Sequence, residues 1–358
     1  MKTTRGWWIP AEDGGPEREY LWPYINRELR IRLYYGGNQG AIQLERVKTG
    51  KKVIIFVDSS VKNFDFLDLF PARSVIVFFV SDETYSAWLT IQLLIKPSTF
   101  KIFRDYPLGN FTKIFSYPAL LSRAIQEKFA YKVPIKHMFR AFFAGLIIIS
   151  KQFCMASLSF FMKKPLDWLP LGYTYGFTEN YNRHFKVKGQ VSVLQHSLKV
   201  LMNRGNAPKK SSVFFSGQIG GFDRRVIIKK AQAFGLEVGP IFEKFGGPQE
   251  PVARKEAALN YFIGLLGSDF SICPPGNYST ETFRYVESLI LHSYPLLKKS
   301  VLSDPISRLR QELTFEFYLE HLNSLELKFI REEIKTHLLF IRAKTLQINN
   351  EMSLTSTV

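Results

Sequence analysis

Short apolar segments alternate with helical segments between residues 211 and 298, and this alternation constrains the fold more than any other feature. Strands are predicted at residues 211–216, 236–242, 268–273 and 294–298. Helices are predicted at residues 223–234, 250–265 and 279–292. Asp223 and Ser279 would cap two of these helices, and Gly235 would end the first. Such alternation is typical of a parallel sheet with helices on its faces.

The first half of the chain repeats this pattern less regularly. Apolar runs predict strands at residues 53–58, 74–80 and 101–104, and a helix is expected between the last two strands, ending near residue 94. A further short strand is expected at residues 169–173. We therefore predict an α/β protein with two doubly wound, Rossmann-like domains that face a cleft.

Shifts in composition predict the domain boundaries. The predicted parts are a first α/β domain (1–173) with a helical insertion (117–164), a polar linker (174–210), a second α/β domain (211–305), further helices (306–348) and a disordered tail (349–358). The two domains are of ordinary size for independent cores.

The formal charge of +17 favours an anionic partner, such as nucleic acid, an anionic membrane or a phosphorylated small molecule. We predict no nucleic-acid partner, because the sequence has no zinc-finger spacing, RNP-type strand or compact basic run. The two cysteines, Cys154 and Cys273, lie far apart, and the first residues lack the apolar region of a secretory signal. These features favour a cytoplasmic location.

The basic and apolar insertion leaves two interpretations open. Residues 141–150 and 152–162 are uncharged, but Lys151 separates them, and a membrane span needs about 20 apolar residues. Flanking lysines and an arginine would suit an anionic lipid surface and peripheral membrane binding. A core helical hairpin in the first domain would use the same apolar residues equally well.

Residues 269–295 contain the richest group of candidate binding residues. The strand at 268–273 is followed by a Pro-Pro-Gly turn and a helix start, whose free amides favour a phosphate. Thr280, Arg284 and Glu287 share one side of that helix, within about 60°. Arg284 suits a phosphate and Glu287 suits the two ribose hydroxyls, although an ordinary surface ion pair would also explain them.

A second motif, FFSGQIGGFDRR, covers residues 214–225. Gly217 is expected to end a strand, the following glycines allow close backbone approach, and Arg224 and Arg225 fall in the first turn of the next helix. If the strand order is as predicted, both motifs follow strands that end at the same edge of one sheet.

The spacing of Cys273, Pro274, Gly276, Arg284, Glu287 and Pro295 resembles the signature of exostosin-like glycosyltransferases. The second motif is similar to that family's first donor-domain motif. The resemblance implies a GT-B fold and a hexosyl- or pentosyltransferase acting on a glycan or lipid-linked acceptor. It also implies that Glu287 binds the donor's ribose and that the glycine and arginine residues of the second motif face the diphosphate. The chain departs from the signature at residues 292–294, where the family has a small Gly-Cys segment.

The predicted donor-binding residues are Gly217, Gln218, Arg224, Arg225, Pro275, Gly276, Asn277, Ser279, Thr280, Arg284 and Glu287. Candidates for the catalytic base are Asp82, Glu83 and Asp105, each of which would alternatively be a helix cap or turn residue. No Asp-x-Asp motif occurs, so we predict no metal and no cofactor beyond the nucleotide sugar as co-substrate. The competing prediction is a non-catalytic membrane- or polyanion-binding protein on a transferase-like scaffold.

Overall fold

The described residues form two parallel sheets with helices packed around them. The computed structural model describes residues 4–8, 16–35, 52–58, 61, 63–80, 87–104, 143, 147, 150–151, 153–170, 172–189, 191–203, 211–218, 222–242, 251–273, 283–297 and 327–354. The chain is an α/β protein whose layout is compatible with two Rossmann-like domains, as the sequence predicts.

The first sheet has six parallel strands in the order β2-β1-β3-β4-β5-β6. These strands are β1 (Thr4–Trp8), β2 (Ile31–Tyr35), β3 (Val53–Val57), β4 (Val75–Phe79), β5 (Thr99–Arg104) and β6 (Leu166–Trp168). Helices α1 (Pro16–Arg27) and α2 (Ala87–Ile95) and a 3₁₀ helix (Asp65–Leu69) connect some of them. Sequence reasoning missed β1 and β2 because their TRGWW and IRLYY segments mix arginine with aromatic residues and lack a continuous aliphatic run.

The central strands are buried on both faces of this sheet. In β3, Ile54 and Phe56 pack into one core, whereas Val53, Ile55 and Val57 pack into a second core on the opposite face. Alternate residues of a strand point to opposite faces. Because both faces are covered, the strand is a continuous apolar run in the sequence.

The last strand of this sheet lies three residues earlier than we predicted, at β6 instead of residues 169–173. The chain leaves the sheet at Leu169 and turns at Gly172, whose φ of +75° is left-handed. A side chain at Gly172 would collide with Tyr24, because a Cβ there would lie 2.5 Å from the Tyr24 Cβ. The turn therefore requires glycine, and it places the Tyr173 side chain in the core.

The segment predicted as a polar linker contains two helices, α3 (Tyr175–Phe185) and α4 (Val193–Asn203). Phe177 and Tyr181 of α3 and Leu194 and Leu198 of α4 are buried in the core that also receives residues of both sheets. Their spacing of four residues is that of one helix face. The connection between the two halves is therefore helical and packed.

The second sheet has four parallel strands in the order β10-β9-β7-β8. Its strands are β7 (Ser211–Gln218), β8 (Glu237–Phe242), β9 (Ser268–Cys273) and β10 (Tyr294–Leu297). Its helices are α5 (Phe222–Ala233), α6 (Pro251–Leu266) and α7 (Phe283–Ile290). These bounds confirm the predicted alternation, although β7 continues beyond its predicted end at residue 216. Gly264 lets α6 pack directly on β7, since a Cβ there would lie 2.2 Å from the Phe214 ring.

A long helix, α8 (Leu327–Leu354), packs against α4 and α7 and also reaches the first sheet. Its Lys344 pairs with Asp167 of β6, and its Glu351 pairs with Lys101 of β5. One helix therefore connects elements of both halves.

The predicted disordered tail at residues 349–358 is wrong for residues 349–354, which belong to α8. Their polar side chains have specific partners: Asn349 Nδ2, for example, donates to the Glu28 carbonyl oxygen at 2.8 Å. The predicted helix at residues 306–322 lies outside the described residues.

Candidate functional site

The carboxyl ends of β7 and β9 lie side by side in the middle of the second sheet. The two strands pair in parallel, with Phe214 opposite Ser271, so both run towards the same edge. Strand β8 lies on one side of β7, whereas β9 and β10 lie on the other, and the strand order therefore reverses between β7 and β9. Ligands of open α/β sheets bind beyond the carboxyl ends of the strands at such a reversal.

Arg284 connects the first turn of α7 to the end of β7. Its Nε donates to the Ser216 carbonyl oxygen at 3.0 Å, and its guanidinium carbon lies 5.6 Å from the centroid of the Phe215 ring. The side chain is half-buried, and Ser216 is its one hydrogen-bond partner among the described residues. A guanidinium held through Nε still has its two terminal nitrogens to bind an anion at this edge.

Glu287 is enclosed by protein donors, and only 2% of it is exposed. Its Oε1 accepts hydrogen bonds from the Thr174 N–H at 2.8 Å and the Thr174 hydroxyl at 2.7 Å, and its Oε2 accepts one from the Tyr261 hydroxyl at 2.8 Å. Thr174 is the N-cap of α3, and its hydroxyl oxygen accepts from the Phe177 N–H. The carboxylate thus completes the cap of a connecting helix, whereas ribose binding would need an open carboxylate.

Burial raises the pKa of the Glu287 carboxyl, and this is the largest effect on it. Hydrogen bonds from Thr174 and Tyr261 and the charge of Arg284 lower the pKa in part. Arg284 and Glu287 are both described, and neither makes its hydrogen bonds to the other; the guanidinium bonds to Ser216 instead. The alternative of an ordinary surface ion pair therefore does not describe these two residues.

The departure from the family signature at residues 292–294 lies at the end of α7. His292 has a left-handed φ of 59°, and the Ser293 N–H donates to the Ser288 carbonyl oxygen at 2.9 Å, a helix ending that usually uses glycine. The His292 Nε2 lies 3.1 Å from the Ser197 hydroxyl of α4. The histidine therefore ties α7 to a connecting helix, so the departure affects the packing between helices.

The remaining predicted donor-binding residues fall into two groups. Gly217 and Gln218 are the last two residues of β7, and Arg224 and Arg225 lie in the first turn of α5. The predicted residues outside the described part of the chain are Pro275, Gly276, Asn277, Ser279 and Thr280, together with the base candidates Asp82, Glu83 and Asp105. The described members therefore lie at the edge where β7 and β9 end.

Sequence reasoning missed a second buried carboxylate, Glu28, which follows α1. Its Oε1 accepts from the Val193 and Leu194 N–H groups at 2.7 and 3.1 Å and from the Tyr173 hydroxyl at 2.9 Å. Its Oε2 accepts from the Ser192 hydroxyl at 2.6 Å. Burial raises the pKa of this carboxyl as well. Glu28 lies in a polar, charged stretch, so no local sequence signal distinguishes it from a surface residue.

A comparison with protein-family models and with curated proteins finds no match for the chain. The functional assignment therefore depends on the two motifs and on the geometry of the sheet edge.

Proposed function

We propose that the chain is a metal-independent glycosyltransferase of the GT-B type, which moves a hexosyl or pentosyl group from a nucleotide-diphosphate donor to a glycan or glycoconjugate hydroxyl. The observation that carries the proposal is the position of Arg284, whose Nε is held by the Ser216 carbonyl oxygen where the strand order reverses. The resemblance to exostosin-like glycosyltransferases supports the same assignment. The donor would bind at the second sheet and the acceptor at the first domain.

The chemistry of the transfer needs positive charge at this edge. The acceptor oxygen attacks the anomeric carbon, the bond from that carbon to the diphosphate oxygen breaks, and the leaving diphosphate takes the electron pair. Arg284, Arg224 and Arg225 would stabilise this negative charge, together with backbone amides at helix starts. An inverting transferase would also need a base for the acceptor proton. The predicted candidates for this base are Asp82, Glu83 and Asp105.

Glu287 has a positioning role in this proposal. Its carboxylate holds α7 against the start of α3, and Arg284 lies one turn earlier on the same helix. The ribose contact predicted from the sequence would require Glu287 to exchange Thr174 and Tyr261 for the ribose hydroxyls. We therefore assign the diphosphate to Arg284 and leave the ribose contact as a prediction.

The packing of the long C-terminal helix supports this proposal. In a GT-B layout, the helices that follow the second domain are free to pack back on the first. Helix α8 does so: Thr345 makes a hydrogen bond of 2.6 Å with the Tyr24 hydroxyl, and the Phe340 ring stacks on Trp168 with a centroid separation of 5.7 Å.

Hydrolysis of the donor tests the proposal, because many transferases slowly transfer the sugar to water when no acceptor is present. The purified chain is incubated with a panel of nucleotide sugars, with and without EDTA, and the released nucleoside diphosphate is measured. We expect one class of donor to release nucleoside diphosphate, at a rate that EDTA does not change. In Arg284→Gln this rate should fall at least about tenfold, because one charge-assisted contact is lost.

Arg183→Gln is the matched control, because Arg183 is 69% exposed on α3 and pairs with Glu179. Its release should equal that of the wild type. The absence of release from every donor would favour the alternative, a non-catalytic membrane- or polyanion-binding protein on a transferase-like scaffold. The enclosure of Glu287 is the observation that favours this alternative.

A further inference from the structure

An exposed apolar surface covers the outer side of the helical residues 153–161 and the turn that follows them. Phe153, Phe160, Phe161 and Met162 form this phenylalanine surface, with exposures of 55%, 80%, 76% and 37%. The Phe160 and Phe161 rings pack edge to face with centroids 5.9 Å apart. Phe153 lies two helical turns before Phe160 on the same side of the helix, and exposed apolar side chains grouped in this way mark an interaction site.

The opposite side of the same helical segment is fastened to the first sheet. Met155 is completely buried, and its Sδ accepts a hydrogen bond from Arg104 at the end of β5. Leu158 packs against the core on that face of the sheet. The inner side therefore anchors the segment, and the outer phenylalanines are not needed to fill the core. For residues 153–162, this exposed side does not fit the alternative of a core helical hairpin, most of whose first half (141–150) lies outside the described residues.

Two exposed cations border the phenylalanine surface. Lys163 directly follows Met162 and is exposed. The exposed Arg73 donates through Nη2 to the Lys163 carbonyl oxygen at 3.0 Å, which places a guanidinium beside this turn.

The turn itself is held in place by a buried lysine. Lys164 donates through Nζ to the carbonyl oxygens of Leu94 and Lys96 at the end of α2, and burial lowers the pKa of its ammonium group. Two described acidic residues near this turn, Asp65 and Asp68, are both paired with Lys96 at 3.1 and 2.6 Å. In the part of this region that the structure describes, Arg73 and Lys163 therefore supply exposed positive charge.

We propose that the phenylalanine surface docks on an anionic lipid bilayer, with its rings among the headgroups and with Lys163 and Arg73 on lipid phosphates. Negatively charged lipids attract these cations, and the transfer of phenylalanine rings from water to the membrane interface is favourable. Within the described residues, no helix has the length and apolarity to cross a bilayer. This docking stands whether or not the chain transfers a sugar.

Vesicle flotation of the full chain tests the docking. Wild type should float with vesicles of phosphatidylcholine and phosphatidylglycerol and remain behind with phosphatidylcholine alone. The double variant Phe160→Ser/Phe161→Ser should reduce partitioning about a hundredfold, since each ring contributes about tenfold or more. Lys163→Glu should reduce it about 25-fold, since it removes one positive charge and adds one negative charge, and each contributes about fivefold. The second variant keeps both rings, so the proposal stays testable if the double variant folds poorly.

Phe234→Ser is the matched control, because Phe234 is 60% exposed beside the end of α5. It should float as the wild type does. Unchanged flotation of the double variant, or an equal loss in the control, would overturn the proposal. Sedimentation without lipid tests the other possible occupant of this surface, a second copy of the chain. If the wild type is a dimer, the double variant is a monomer and neither protein floats, the surface is an interface between two copies and the lipid proposal is wrong.

Discussion

Glu28 and Glu287 are buried carboxylates in opposite halves of the molecule, and each caps one of the two connecting helices. Glu28 follows α1 and accepts hydrogen bonds from the N-terminus of α4. Glu287 lies on α7 and accepts a hydrogen bond from the N-cap residue of α3. Each also accepts a hydrogen bond from a tyrosine hydroxyl, of Tyr173 and Tyr261 respectively. A buried carboxylate that caps a helix therefore joins the helical connection to each half of the molecule.

The two carboxylates differ in what surrounds them. Glu28 accepts hydrogen bonds from two backbone N–H groups and two hydroxyls. The neighbouring Arg27 donates a hydrogen bond to the Asn182 side chain of α3. Glu287 accepts from one backbone N–H and two hydroxyls, and Arg284 lies one turn away at the edge of the second sheet. The side-chain partners of Glu28 therefore lie in or just before the connecting helices, whereas Glu287 also links the connection to the candidate site.

Glu28→Ala should have the largest effect on stability. It leaves four donors, three of them buried, without their acceptor, so we expect the free energy of unfolding to fall by about 3–5 kcal/mol. Urea unfolding followed by circular dichroism measures the change. Glu332→Ala on the exposed side of α8 is the control, and a loss below about 1 kcal/mol at Glu28 would contradict the capping role.

Glu287→Ala should have a smaller effect, because only three donors lose their acceptor. We expect a loss of about 2–4 kcal/mol in the same urea experiment. A larger loss at Glu287 than at Glu28 would reverse the comparison between the two carboxylates.

The dependence of stability on pH should separate the cost of burying the two negative charges from the contribution of their hydrogen bonds. Burial raises the pKa of both carboxyls above their ordinary value of 4.5, so their favourable contribution is complete below that pH and is lost as pH rises through the folded-state pKa. Relative to wild type, Glu28→Gln and Glu287→Gln should therefore become more stable as pH rises above 4.5, by up to about 1.4 kcal/mol per pH unit for each group. Parallel stability curves for wild type and both variants would contradict this expectation.

Removing one tyrosine hydroxyl should have the smallest effect. Tyr173→Phe and Tyr261→Phe each remove one hydrogen bond and leave the carboxylate with its other donors. We expect each to lower the free energy of unfolding by about 1–2 kcal/mol, as measured by thermal unfolding. Tyr261→Phe alone should also affect the candidate site, because it loosens the helix that holds Arg284.

The strands and helices of the second sheet could be predicted because each is a short apolar or periodic segment bounded by glycine, proline or a capping residue. The shared edge of the two motifs follows from parallel pairing, and the structure has that pairing. The partners of Glu287 could not be predicted in this way. The helical wheel places Arg284 and Glu287 on one side of α7, but Thr174 lies 113 residues away in the chain. The wheel therefore cannot show that another helix covers that side.

Segments that depend on distant partners were also missed. The end of α8 is polar in sequence and looks like a frayed tail, but Glu351 pairs with Lys101, which is 250 residues away. The sequence of the connecting helices predicts a linker, because glycine and basic residues interrupt the apolar periodicity by which a helix is predicted. Long-range contacts therefore decided the parts of the fold that local patterns could not.

The most direct test of the diphosphate site is a thermal-shift titration of wild type, Arg284→Gln and Arg183→Gln with nucleoside diphosphates. If the edge of the second sheet binds a diphosphate, one nucleotide at about 100 times its dissociation constant should stabilise wild type and Arg183→Gln by about 2.7 kcal/mol. Arg284→Gln should need at least about ten times more nucleotide for the same shift. No shift with any nucleotide, or equal shifts in all three proteins, would contradict a diphosphate site at Arg284.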